Sequence, residues 1–148
     1  MKFVYFDYGG SHSSVLAANI HAGNLSKTKT PSLQELMEIP LFDKTIKEDF
    51  GKMQYIGVDE LGNEIYLIGT KNSNFGSTIH DLAELLEVSS KYIFIGTMPY
   101  VNLILRIGGF LSRGLSKPSL GRPLVYKGAK AAYPGLVSLV ERTKLQFI

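Results

Sequence analysis

Hydrophobic and polar positions along the chain alternate between two periods. Phe3 to Asp7 is a nearly continuous β-rich apolar run that closes on an acid, the pattern of a buried strand. Tyr8-Gly9-Gly10-Ser11 breaks it. From Ser13 the residues Ser-Ser-Val-Leu-Ala-Ala-Asn-Ile-His-Ala predict a helix that stops at Gly23, a favoured C-terminal position for glycine. Asn24 to Pro31 is a polar loop. Ser32 then caps a short helix through Glu38, because Glu35 falls three residues later, as a capping box requires.

Pro40 to Lys44 predicts a turn, and Thr45 to Phe50 another short helix. Met53 to Val58 and Glu64 to Thr70 are β-rich runs on either side of Asp59-Glu60-Leu61-Gly62-Asn63, and they predict a hairpin. Ile79, Leu82, Leu85 and Leu86 lie at helical spacing within 78–88, with His80 and Asp81 near its start as surface or capping residues. Tyr92 to Thr97 is a second buried strand, and Pro99 starts a helix to about Leu111. Ser112 to Arg122 predicts a flexible connection, Pro123 to Tyr126 a short last strand, and Pro134 to Lys144 a final helix. Strands that alternate with helices argue for a single α/β domain over 1–148. The expected architecture is three layers: a mainly parallel sheet, helices on both faces, and one antiparallel hairpin at 53–70.

Composition narrows the functions this fold can serve. The chain has 148 residues, 45% hydrophobic and 20% charged, which suits one globular domain, and it has no cysteine. Disulfides, thiolate metal sites and cysteine nucleophiles are therefore excluded. Tyr92 to Leu111 approaches the length of a membrane span, yet it contains Pro99, Asn102, Arg106 and several glycines, so a strand followed by a buried helix fits better. The start of the chain is too short in apolar residues for a signal peptide, which makes the cytoplasm the expected compartment. Charge is uneven: residues 1–105 hold 8 Lys/Arg against 12 Asp/Glu, and residues 106–148 hold 8 against 1. The basic group Arg106, Arg113, Lys117, Arg122, Lys127 and Lys130 is either a solvated surface or a face for phosphates or an acidic partner. Interleaved aromatics are missing, so nucleic acid is a disfavoured partner.

Candidate chemistry gathers after the first strand. Ligands of open α/β sheets bind beyond the carboxyl ends of the strands. Three such ends resemble one another: Gly9-Gly10-Ser11-His12, Gly69-Thr70-Lys71-Asn72 and Gly96-Thr97-Met98-Pro99. The first also opens a helix, whose free N–H groups and dipole favour an anion. Gly9 and Gly10 clear the approach, and Ser11, Ser13 and Ser14 add hydroxyl donors. Neither G-x-x-x-x-G-K-[ST] nor G-x-G-x-x-G is present, so a capped strand-to-helix turn is the competing reading. His12 at the helix start can serve as acid, base or anion ligand, or merely as a turn residue. His21 lies nine residues on, ~13 Å along the same helix. The two cannot share a metal ion, and His21 reads as structural. Asp43 either caps the following helix or orders a water or Mg²⁺ near the first loop. Asp59-Glu60 belongs to good turn chemistry. No metal-ligand spacing and no G-x-S-x-G are found.

Tyr8-Gly9-Gly10-Ser11-His12-Ser13-Ser14, Ala17-Ala18, Ile20-His21, Pro40-Leu41-Phe42-Asp43 and 56–66, with its Gly-x-Asp-Glu-x-Gly, resemble the family known as domain of unknown function 3189. The resemblance spans most of the chain and implies a stand-alone bacterial cytoplasmic protein of spore-forming Firmicutes. It implies no mechanism. Asp7 stands where that pattern leads one to expect a more neutral residue.

The residues thus point first to a domain for a small phosphorylated or nucleotide-like ligand, as a hydrolase or transferase or as a simple binder. Gly9, Gly10, Ser11, Ser13 and Ser14 would hold the anion, and Thr70, Lys71, Thr97, Arg113 and Arg122 would support it. His12 and Asp43 are the candidate catalytic pair. The rival reading is a non-enzymatic regulatory or adaptor protein that uses the apolar and basic C-terminal third, where a homodimer is one way to bury that surface. RNA binding through the basic third is a third reading.

Overall fold

The computed structural model describes residues 1–72, 75–87 and 90–147, without the side chains of Phe75, Ser77 and His80. The expected role of His80 and the expected helix end at Val88 lie outside the described residues. The fold is mixed α/β around one open four-stranded sheet with order β2-β3-β1-β4, where β1 is Lys2–Asp7, β2 Gln54–Val58, β3 Glu64–Gly69 and β4 Tyr92–Gly96. β1 is central and parallel to both neighbours, with Val4 opposite Tyr66 and Phe94. β2 pairs antiparallel with β3 at the edge, and a bulge between Tyr55 and Gly57 shifts its register.

Alternation along β1 decides what each face meets. Phe3 and Tyr5 contact His21 of α1 (Ser13–His21), while Phe6 lies under Gly76 of α3 (Phe75–Leu85) and Gly96. Every residue of α1 is buried, because β1 and β3 lie on one side of it and α5 (Pro118–Gln146) on the other. α1 ends as its sequence predicts, with Gly23 at φ +77° and its N–H on the Ile20 carbonyl. α2 (Leu33–Glu38) carries the expected capping box: Ser32 Oγ accepts from Glu35 N at 3.2 Å, and Glu35 Oε2 from Ser32 N at 2.6 Å.

The C-terminal third departs from its prediction. Residues 98–100 form a 3₁₀ turn, α4 covers Leu103–Gly109, and Phe110–Gly114 is a π-helical segment. The expected connection at 112–122, strand at 123–126 and helix from Pro134 are instead the π segment and one 29-residue helix, α5, which contains Pro123 and Pro134. Proline in a helix interior costs about 3 kcal/mol. Here packing outweighs that cost, since Gly121, Val125, Gly128, Ala129, Ala132, Leu136 and Val140 form one buried stripe. Glycines let α4 and α5 cross closely. A Cβ on Gly121 would lie 2.4 Å from Ser112 N, and one on Gly128 2.5 Å from Leu105 N. The helix expected at 45–50 shrinks to a 3₁₀ turn, Lys47–Asp49. Among the described residues no helix is long and apolar enough to cross a membrane.

Candidate functional site

The parallel order β3-β1-β4 puts the three glycine-bearing loops side by side. Thr70 N donates to Asp7 O and Thr97 N to Phe6 O, and a Cβ on Gly10 would meet Gly69 N at 2.8 Å. Gly10, at φ +61°, must be glycine on both counts.

At the turn itself the protein supplies the anion. The buried Asp7 carboxylate accepts from Gly10 N at 2.5 Å, Ser13 Oγ at 2.7 Å and Ser14 N at 2.9 Å. Ser13 Oγ also lies 2.9 Å from Thr97 Oγ1, which donates to Phe6 O at 3.2 Å. Gly10, Ser13 and Thr97 are therefore engaged internally. Ser14 is fully buried, and its Oγ has no partner among the described residues. Thr70 closes a local turn through Asp7 O and Asn72, and Lys71 Nζ lies 4.3 Å above the Phe50 ring. These groups build the turn more than they present it.

One step outward, His12 and Asp43 come together. His12 Nε2 is 3.1 Å from Asp43 Oδ1. The Asp43 side chain is fully buried; its Oδ2 accepts from Ser112 Oγ at 2.5 Å and Arg122 Nε at 3.1 Å. Its backbone is held as well: Asp43 N donates to Ser11 O at 3.0 Å, and Arg113 Nη1 to Asp43 O at 2.6 Å. Asp43 has φ +53° and Leu41 φ +70°, a left-handed backbone that is uncommon outside glycine and that this lattice of bonds holds in place. The π segment explains how neighbours Ser112 and Arg113 both reach Asp43, since its wider turn re-aims successive side chains.

Burial alone would raise the Asp43 pKa. Hydrogen bonds from His12 and Ser112, the His12 charge and Arg122 outweigh it and hold the carboxyl below the ordinary range. An ionised carboxylate only accepts, so whenever the His12 ring is neutral its proton belongs on Nε2, which leaves the Nδ1 lone pair unbonded to Asp43. Nδ1 has no hydrogen-bond partner among the described residues. Gly109 admits the ring, because a Cβ there would come within 2.9 Å of His12 Cε1 and 3.3 Å of Nδ1. Asp43 does not fit the role of Mg²⁺ ligand, since both its oxygens are already taken by protein donors. Nor does it cap a following helix.

The imidazole borders a cleft of about 720 Å³ at the carboxyl ends of β1 and β4. Gly9, Ser11, His12, Ser13 and Arg113 line it, whereas Gly10, Ser14, Asp43, Thr70, Lys71, Thr97 and Arg122 stand behind or away from its wall. Arg113 Nε is buried without an acceptor among the described residues. Sequence reasoning missed Asp7 and Ser112 as site residues, whereas Arg106, named there in the basic group, lines the cleft. An acid that ends a buried strand three residues before a glycine is a readable signal for Asp7; Ser112 has none, because its position depends on the π turn. Ser11 Oγ bonds Thr45 Oγ1, which ties the 43–50 segment to the first turn.

At the other end of α1, His21 is wholly buried between Tyr5 Oη, 2.8 Å from Nδ1, and Asp59 Oδ2, 3.3 Å from Nε2. Burial drives the Tyr5 pKa upward, so its hydroxyl stays protonated and donates to Nδ1. Asp59 also accepts from Leu61 N and Asn63 N, which fixes the hairpin turn. This cluster is structural.

No curated protein and no solved structure matches the chain. Residues 2–145 match a single family throughout, and the chain belongs to that family, described as Protein of unknown function (DUF3189).

Proposed function

We propose that the cleft beside His12 binds a small anionic ligand, a phosphorylated or nucleotide-like compound, in the cytoplasm. The observation behind it is the His12–Asp43 pair: a buried, multiply bonded carboxylate that fixes an imidazole bordering a ligand-sized cleft, with no hydrogen-bond partner for its second nitrogen among the described residues. Arg113, with an unpartnered Nε–H, supplies positive charge next to that pair. Gly9, Ser11 and Ser13 form the adjoining wall, and Gly10, Ser14, Thr70, Lys71, Thr97 and Arg122 support it from behind. Because Asp7 already takes the Gly10 and Ser14 amides, the ligand's anionic group sits on the Arg113 side of the turn. As a hydrolase or transferase, the protein would use His12 Nδ1 to take or return a proton at the reacting oxygen, with Asp43 stabilising the charged ring. The same reading takes α3 as cover for the second face of the sheet, the third layer of a Rossmann-like domain.

A thermal-shift series with inorganic phosphate, pyrophosphate, nucleotides and divalent ions tests this. Stabilisation by an anion, lost in His12→Ala and Arg113→Ala, is the expected result. No stabilisation, or equal stabilisation of both variants, overturns it.

A second reading, a non-enzymatic adaptor or homodimer, is favoured by exposed apolar side chains on α4 and beyond: Leu103 at 71%, Phe110 at 61% and Leu120 at 60% exposure. Light scattering that finds only monomer, with no partner co-purified, counts against it.

A further inference from the structure

The cleft is larger and more apolar than an inorganic ion needs. Its volume of about 720 Å³ falls inside the roughly 300–1,000 Å³ range of clefts that enclose drug-sized ligands. Met98, Val101 and Leu105 line it from the stretch after β4, and Ile46 and Phe50 line it from the segment tied to Ser11. Its charged lining is close to balanced, with Lys47, Arg106 and Arg113 against Asp7 and Glu48. Such a wall would leave the body of a highly charged ligand, a triphosphate for example, facing hydrocarbon and carboxylates. A bare phosphate would leave most of the apolar wall uncovered.

Resting on the reading above, we propose that the ligand is amphipathic: one anionic group of low charge, held beside His12 and Arg113, joined to a compact apolar body against Val101, Leu105 and Ile46. Aryl and short alkyl phosphate monoesters represent this class. The apolar part supplies affinity by leaving water, and the cationic end supplies orientation.

Titration calorimetry with inorganic phosphate, phenyl phosphate, hexyl phosphate and hexanol tests the proposal. Both monoesters should bind at least about tenfold more tightly than phosphate, and hexanol much more weakly than hexyl phosphate. Ile46 is 54% exposed, so Ile46→Asn should leave the fold intact. That variant should cut the monoester advantage severalfold and leave phosphate affinity unchanged, while Arg113→Ala weakens all three anions. If phosphate binds as tightly as the monoesters, the amphipathic ligand is ruled out and the anion site stands. If hexanol matches hexyl phosphate, or no anion binds, the anion site itself is ruled out and this proposal with it.

Discussion

Helix α1 carries a histidine at each end, and both reach an aspartate through Nε2, His12 to Asp43 at 3.1 Å and His21 to Asp59 at 3.3 Å. Their surroundings differ in one respect that decides their chemistry. His21 spends its second nitrogen on Tyr5 and lies fully out of solvent, so burial, reinforced by the Lys144 charge and only partly opposed by Asp59, lowers its pKa to about 4. It is a neutral, saturated core group. His12 keeps 14% of its side chain exposed, and its second nitrogen has no protein partner among the described residues. An aspartate beside a histidine therefore does not mark a site. The unbonded ring nitrogen is what the proposed anion site rests on.

Removing each aspartate breaks the comparison most strongly. Asp43→Ala leaves His12, Ser112 and Arg122 without their shared acceptor and puts alanine at φ +53°, so it should cost about 3 kcal/mol or more in urea unfolding. Asp59→Ala should cost less, because it leaves one buried donor, His21 Nε2, unpaired, while the amides it releases belong to a turn that water can reach. The opposite ranking would place the main polar anchor at the His21 end.

Acid sharpens the contrast next. The unfolded chain takes up the His21 proton near pH 6.5, while the folded chain resists until about pH 4. Between these values the unfolded state binds more protons, so stability falls as pH is lowered, by up to roughly 1.4 kcal/mol per unit. Urea midpoints across this window should show the slope in the native protein and in His12→Gln, and a flatter line in His21→Gln. Asp43 and Asp59, both held below the ordinary carboxylate range, add their losses only further into acid.

Tyr5→Phe removes the hydroxyl that satisfies His21 Nδ1 and should cost about 1–2 kcal/mol, read from the same unfolding curves. His12→Gln stands at the small end. It should change stability by less than about 1 kcal/mol while abolishing stabilisation by anions. A large stability loss there would make His12 a second His21.

The parts legible in the sequence are those whose cause is local. Gly23 ends α1, Ser32 and Glu35 open α2, and Asp59 to Asn63 turn the hairpin, each through residues a few positions apart. The His12–Asp43 pair is half legible: both residues are chemically distinctive, yet only the fold brings a helix start and a turn 31 residues later to hydrogen-bonding distance. α5 is misread for a physical reason. Pro123 and Pro134 carry strong local signals against a continuous helix, and they mask a 3.6-residue apolar stripe that packs on α1 and α4. Ser112 is hidden because a π turn, rather than any residue pattern, aims it.

Asp7 has an effect on energetics beyond its place in the turn. By accepting from the Gly10 and Ser14 amides, it holds the loop in its final shape from within the chain. For the proposed ligand, complex formation would then need no disorder-to-order step at this corner, and the entropic penalty would fall on the incoming molecule.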